Sequence, residues 1–124
     1  MALCRKCGYV STWKGRRRYI PAILSSDKRE RSQAERQAVN TVLQGSAAEI
    51  MKVAMARVHD QLEARFPSKA AIVMQLHDEL LVEAHSDVAD SVIGILHREM
   101  ENVDHFNVTF RVKSKRGTLW GQLE

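Results

Sequence analysis

Residues 71 to 83 constrain the fold more than any other stretch. Ile72-Val73-Met74-Gln75-Leu76 and Leu80-Leu81-Val82 are short, apolar and partly β-branched, with only His77-Asp78-Glu79 between them. Apolar runs of this length read as buried strands, and the short polar break predicts a tight hairpin connection.

The segments around this hairpin change period. Ser32-Gln33-Ala34-Glu35 fits a capping box, in which the serine oxygen serves an exposed amide and the glutamate reaches back. Ala34, Ala38 and Val42 then recur at helical spacing, with Val39 and Leu43 beside them. Gly45 suits the left-handed position that ends a helix, and Ser46-Ala47-Ala48-Glu49 is a second capping box directly after it. Ile50, Met51, Val53, Ala54, Met55 and Val58 carry the new helix to about Ala64, before Pro67. These signals predict a kinked helix pair. After the hairpin, Ser86 is placed to cap a further helix with Val88, Val92, Ile93, Leu96 and Met100 on one stripe. Val108, Phe110 and Val112 alternate with Thr109, Arg111 and Lys113, which predicts a final half-buried strand.

Met1 to Ser26 reads as an irregular or extended basic leader. Within it Tyr9-Val10 and Arg18-Tyr19-Ile20 can pair as short strands around Lys14-Gly15. The predicted order is leader, α, α, β, β, α, β. The fold class is α+β, a small antiparallel sheet (the hairpin plus a C-terminal strand) with helices on one face. The expected division is a leader over residues 1–26 and a body over 27–124.

The leader is also where the positive charge gathers. Met1 to Gln37 holds ten Lys or Arg against three acids, a balance of +7, whereas the remaining residues balance at −3. A basic entry segment on a mildly acidic body suits a polyanionic partner, although solvated basic faces are common. No apolar stretch could span a bilayer, so no membrane partner is expected. The N-terminus has no apolar core for a secretory signal. The expectation is a soluble intracellular protein, nuclear if the source is a eukaryote. Cys4-x-x-Cys7 is a lone pair without a second CxxC, and the five histidines are scattered without ligand spacing. Two thiols near a frayed terminus suit it better than a closed zinc site, which needs four ligands.

Two features carry candidate chemistry. Asp78 and Glu79 place two carboxylates at the tip of an otherwise apolar hairpin. Asp is acceptable in a tight turn and Glu is a poor choice, so turn propensity does not account for the pair. Mg²⁺ takes a few carboxylates and fills its other positions with water and phosphate, and in a two-metal mechanism one ion activates the attacking oxygen. A solvated acidic turn fits the pair about equally well. The second feature is Arg36, Asn40 and Gln44, spaced i, i+4, i+8 on one helical face with Ala34, Ala38 and Val42 roughly opposite. A row of long hydrogen-bonding side chains suits the DNA minor groove, where every base pair presents acceptors in nearly equivalent places. On spacing alone a solvated polar stripe is the more common outcome.

Together the segments resemble the A-family DNA polymerases. Gly15-Arg16-Arg17-Arg18-Tyr19-Ile20-Pro21 looks like the basic segment after the fingers helices. Ala34-Glu35-Arg36-Gln37-Ala38-Val39-Asn40, running on to Gln44-Gly45-Ser46-Ala47-Ala48, looks like the palm helix pair. Gln75-Leu76-His77-Asp78-Glu79-Leu80-Leu81 matches motif C. The three blocks stand in the family's order, the likeness covers about Gly8 to Gln122, and the wording is nearer the eukaryotic theta and nu branch. The resemblance implies a partial polymerase palm and template-directed addition of deoxynucleotides to a primer 3′-hydroxyl, in replication or repair. It implies Asp78 as a catalytic ligand of Mg²⁺ with Glu79 an auxiliary acid beside it, and His77 near the primer terminus. Arg36, Asn40 and Gln44 would contact the minor groove of primer–template duplex, and Arg16, Arg17 and Arg18 would lie near nucleic acid or brace the fingers. Deoxynucleoside triphosphates would be partners of the complete enzyme.

The sequence departs from the family at Lys14, where an apolar residue is usual, and Met1 to Cys7 reads as unrelated sequence. No strand resembles motif A, and the fingers helix is absent. The expectation is therefore an inactive fragment that needs the missing motif A and fingers portion as a partner. A non-catalytic duplex-binding remnant and an interaction module are the other readings. A motif A aspartate encoded upstream in frame separates them from the first.

Overall fold

The computed structural model describes residues 2–103 and 110–123. It is an α+β fold with two small antiparallel sheets, and it divides into two compact units, residues 1–50 and 51–124.

The first unit begins with a short helix, α1 (Ala2–Cys7), and a two-stranded ribbon of β1 (Tyr9–Ser11) and β2 (Arg17–Tyr19). Tyr9 pairs with Tyr19, Val10 with Arg18 and Ser11 with Arg17. The ribbon turns near Gly15 (φ +83°), whose N–H donates to the Thr12 carbonyl at 2.9 Å. The leader is thus more ordered than the sequence suggested. Its helix, ribbon and a 3₁₀ turn at Pro21–Leu24 pack Cys4, Val10, Ile20 and Ile23 against Ala34 and Ala38 of the long helix α2 (Lys28–Arg65). Cys4 is a core residue, while Cys7 is exposed.

Helix α2 runs unbroken for 38 residues, which corrects the expected kinked pair. Its cap is Asp27, not Ser32: Asp27 Oδ1 accepts the Arg29 N–H at 2.7 Å and the Glu30 N–H at 3.4 Å. Gly45 does not end the helix. A Cβ there would lie 2.5 Å from Thr12 Cγ2, so the glycine admits the β1–β2 loop against the helix backbone. Ser46 and Glu49 are likewise not a capping box. Both hold that loop: Ser46 Oγ accepts the Trp13 N–H at 3.0 Å, and Glu49 accepts the Lys14 N–H at 2.8 Å.

In the second unit, β3 (Ala70–Leu76) pairs with β4 (Glu79–Ala84) as the expected hairpin, with Leu76 opposite Glu79. A bulge between Ile72 and Met74 leaves Val73 unpaired and about half exposed. The hairpin packs Ala70, with Ile72, Leu80 and Val82 beside it, on Val58 and Leu62 of α2, on Val92 and Ile95 of α3 (Ala89–Glu101), and on Val88 just before it. Ser86 does not cap α3. Val88 takes the cap position without a side-chain bond, and its carbonyl receives the Val92 N–H at 2.9 Å. Nearby Asp87 binds Lys69 Nζ at 2.8 Å and His85 Nδ1 at 2.6 Å.

Of the expected final strand, Val108 and Thr109 lie outside the described residues. Phe110 to Lys113 forms no strand, so among the described residues this sheet has two strands. The segment follows α3 through side chains instead: the Val112 N–H donates to Glu101 at 2.9 Å, Ser114 meets His97 Nε2 at 3.1 Å, and Arg116 meets Asp90 at 3.0 Å. Among the described residues no helix is long and apolar enough to cross a membrane.

Candidate nucleic-acid interface and acidic tip

The first unit builds an open groove of about 450 Å³ lined by Arg18, Arg36, Asn40, Thr41 and Gln44, with Gln33 and Gln37 at its side. Ala34 and Ala38 face the core, which turns the i, i+4 stripe outward. Arg36, Asn40 and Gln44 are exposed, and their side chains make no hydrogen bond or ion pair among the described residues. From Arg36 to Gln44 the stripe spans roughly 12 Å at 1.5 Å per residue. At about 3.4 Å of rise per base pair that is three to four base pairs of duplex.

The three consecutive arginines diverge. Arg18 Nη1 donates to Thr41 Oγ1 at 3.0 Å and joins the groove. Arg17 stacks on the Tyr9 ring, 4.8 Å from its centroid. Arg16 approaches Glu49 at 3.7 Å. Alternation along a strand separates neighbouring side chains, so one basic run serves three tasks. The sequence reading missed Gln33, Gln37 and Thr41. A signal existed, since Gln33, Gln37, Asn40 and Gln44 recur at helical spacing of four, three and four.

The second unit carries the acidic tip. The turn is two residues, His77 and Asp78, and Glu79 is the first residue of β4. This corrects the three-residue connection and the idea that Glu79 sits unfavourably in a turn. His77 has φ +52°, a left-handed conformation that is uncommon outside glycine and costs about 1–2 kcal/mol. Gln75 Nε2 supports it by donating to the His77 carbonyl at 3.1 Å. His77, Asp78 and Glu79 are all exposed. No three His, Cys, Asp or Glu stand together as a metal cluster among the described residues. Two adjacent carboxylates fit Mg²⁺ held in part by water and phosphate, and do not fit a closed all-protein site.

The first unit thus pairs a ribbon with a helix groove lined by arginine and amides, and the second carries an apolar hairpin tipped by acids. The chain belongs to DNA polymerase family A, whose sequence pattern matches residues 1–122, so Met1 to Cys7 lies within the likeness. It is 43% identical over 117 residues to DNA polymerase I of Treponema pallidum, covering 94% of this chain and 12% of that protein. It is 44% identical over 116 residues to DNA polymerase I of Caldicellulosiruptor bescii, covering 94% and 14%. It is 39% identical over 127 residues to DNA polymerase theta of Drosophila melanogaster, covering 97% and 6%. Among solved structures it resembles the POL domain of Pol1 from M. smegmatis in complex with DNA primer-template and dNTP. The TM-score is 0.79 at 38% identity, over 87% of this chain and 19% of that one. The chain therefore spans about a fifth or less of the length of these polymerases.

Proposed function

We propose that this chain is a C-terminal palm segment of a DNA-directed DNA polymerase, and that its groove holds primer–template duplex. The carrying observation is the groove itself, in which Arg18 joins Arg36, Asn40 and Gln44 although it lies 23 positions from Thr41, its partner there. Arg36, Asn40 and Gln44 donate to minor-groove acceptors, which stand in nearly the same place at every base pair. That suits an enzyme that must hold any sequence. Arg18 takes a phosphate on the same duplex, and charge supplies much of the affinity.

At the acidic tip, His77 orients the primer end while Asp78 and Glu79 hold a divalent ion. Family A polymerases use divalent ions, which activate the attacking hydroxyl and steady the leaving oxygens. Two carboxylates at one tip do not hold two ions in register, so the 124-residue chain alone is expected not to extend a primer. The complete enzyme adds deoxynucleotides from triphosphates once a second acidic motif is supplied.

Duplex binding across a salt series tests this reading. Log affinity falls linearly with log salt, and Arg18→Ala lowers the slope by about 0.9 while Arg17→Ala changes it less. Binding that is absent, or indifferent to salt, removes the proposal.

A further inference from the structure

Among the described residues the one buried charged side chain is Glu49, 5% exposed. It lines neither the groove nor the acidic tip. Burying a carboxylate is unfavourable unless its oxygens are satisfied, and both oxygens here face the β1–β2 loop. Oε1 accepts the Thr12 hydroxyl, Oε2 accepts the Lys14 N–H at 2.8 Å, and Arg16 Nε lies 3.7 Å from Oε1. Gly45 and Ser46, on the same helix face, take the close approach of Thr12 and the N–H of Trp13. One turn of α2 therefore grips three consecutive loop residues.

The loop leads directly into β2, and β2 carries Arg18 to Thr41 and the groove. A ribbon of three residue pairs is marginal alone, so an unanchored loop would leave Arg18 without a fixed origin. We propose that Glu49 is a positioning residue for duplex binding. It clamps the 12–16 loop to α2 and thereby sets the Arg18 guanidinium beside Arg36, Asn40 and Gln44. This inference rests on the duplex-holding role of the groove.

The test is a double-mutant cycle in the whole chain, reading hairpin-duplex affinity by anisotropy well below the melting temperature. Arg18→Ala is expected to weaken binding about tenfold, as for loss of one charge-assisted contact. Glu49→Ala, with Arg18 still present, should give a similar loss and the same fall in salt slope. In the Arg18→Ala background Glu49→Ala should have almost no further effect, because the two act on one contact. Gly45→Ala displaces the same loop without changing charge and serves if Glu49→Ala fails to fold. It should show the same dependence on Arg18. An undiminished effect of both variants in the Arg18→Ala background overturns the inference, as does unchanged binding by a folded Glu49→Ala chain. If the unaltered chain binds no duplex, the groove assignment itself has failed, a result distinct from either of these.

Discussion

Alanine at two helical glycines should have opposite effects on stability. Within a helix, Gly→Ala ordinarily stabilises by about 0.5–1 kcal/mol through reduced backbone freedom of the unfolded chain. Gly94 lies in α3 with nothing within 4 Å of an added Cβ, so Gly94→Ala should gain that amount. At Gly45 the added carbon lies 2.5 Å from Thr12 Cγ2, well inside an ordinary carbon contact of about 3.5–4.0 Å. The loop backbone is tied by the Trp13 and Lys14 amides, and turning the Thr12 side chain to move its methyl away would break the bond from its hydroxyl to Glu49. Overpacking of this kind costs about 1–3 kcal/mol. Set against the helix gain, Gly45→Ala should destabilise by up to about 2 kcal/mol, and the two variants should differ by the clash cost, about 1–3 kcal/mol. Urea unfolding with the slopes compared measures the difference. A Gly45→Ala chain as stable as Gly94→Ala would show that the loop does not rest on α2.

Two other outcomes follow from the tips and turns. Lys69, then His85, hydrogen-bonds Asp87 and holds its carboxyl below the usual aspartate range. A lowered folded value means the contribution is present above the unfolded value of 3.8 and is lost as pH falls through the folded one. Asp87→Asn should therefore flatten the acid limb of the stability curve near and below pH 4, and an unchanged limb would exclude the cluster. Mixed with a fragment bearing the second acidic motif, the chain should extend a primer with Mg²⁺. Asp78→Ala should abolish that extension, and continued extension would reject Asp78 as a metal ligand.

Local signals were legible and tertiary ones were not. The hairpin was readable because apolar runs of strand length flank a polar pair. The groove stripe was readable because Arg36, Asn40 and Gln44 obey a period that one helix imposes. Gly45-Ser46 and Glu49 were misread for a physical reason. A residue without Cβ, a hydroxyl and a carboxylate are what a helix boundary needs, and equally what a docked loop needs. Only the unbroken helix distinguishes the two. The sequence does not show which residue of the turn carries positive φ; His77 carries it, and Glu79 therefore falls in the strand. Nothing in the sequence separates Arg18 from Arg16 and Arg17, because contact with Thr41, 23 positions away, leaves no periodic trace.

The most direct measurement concerns which edge of the base pair the Arg36–Asn40–Gln44 row touches. Purines in a bound duplex can be replaced one at a time by 3-deaza analogues, which lack the minor-groove N3, or by 7-deaza analogues, which lack the major-groove N7. Loss of N3 at positions facing the row should weaken binding severalfold, about 1 kcal/mol per contact, whereas loss of N7 should leave it unchanged. Sensitivity to N7 instead, or to neither atom, would contradict a minor-groove duplex site on this helix.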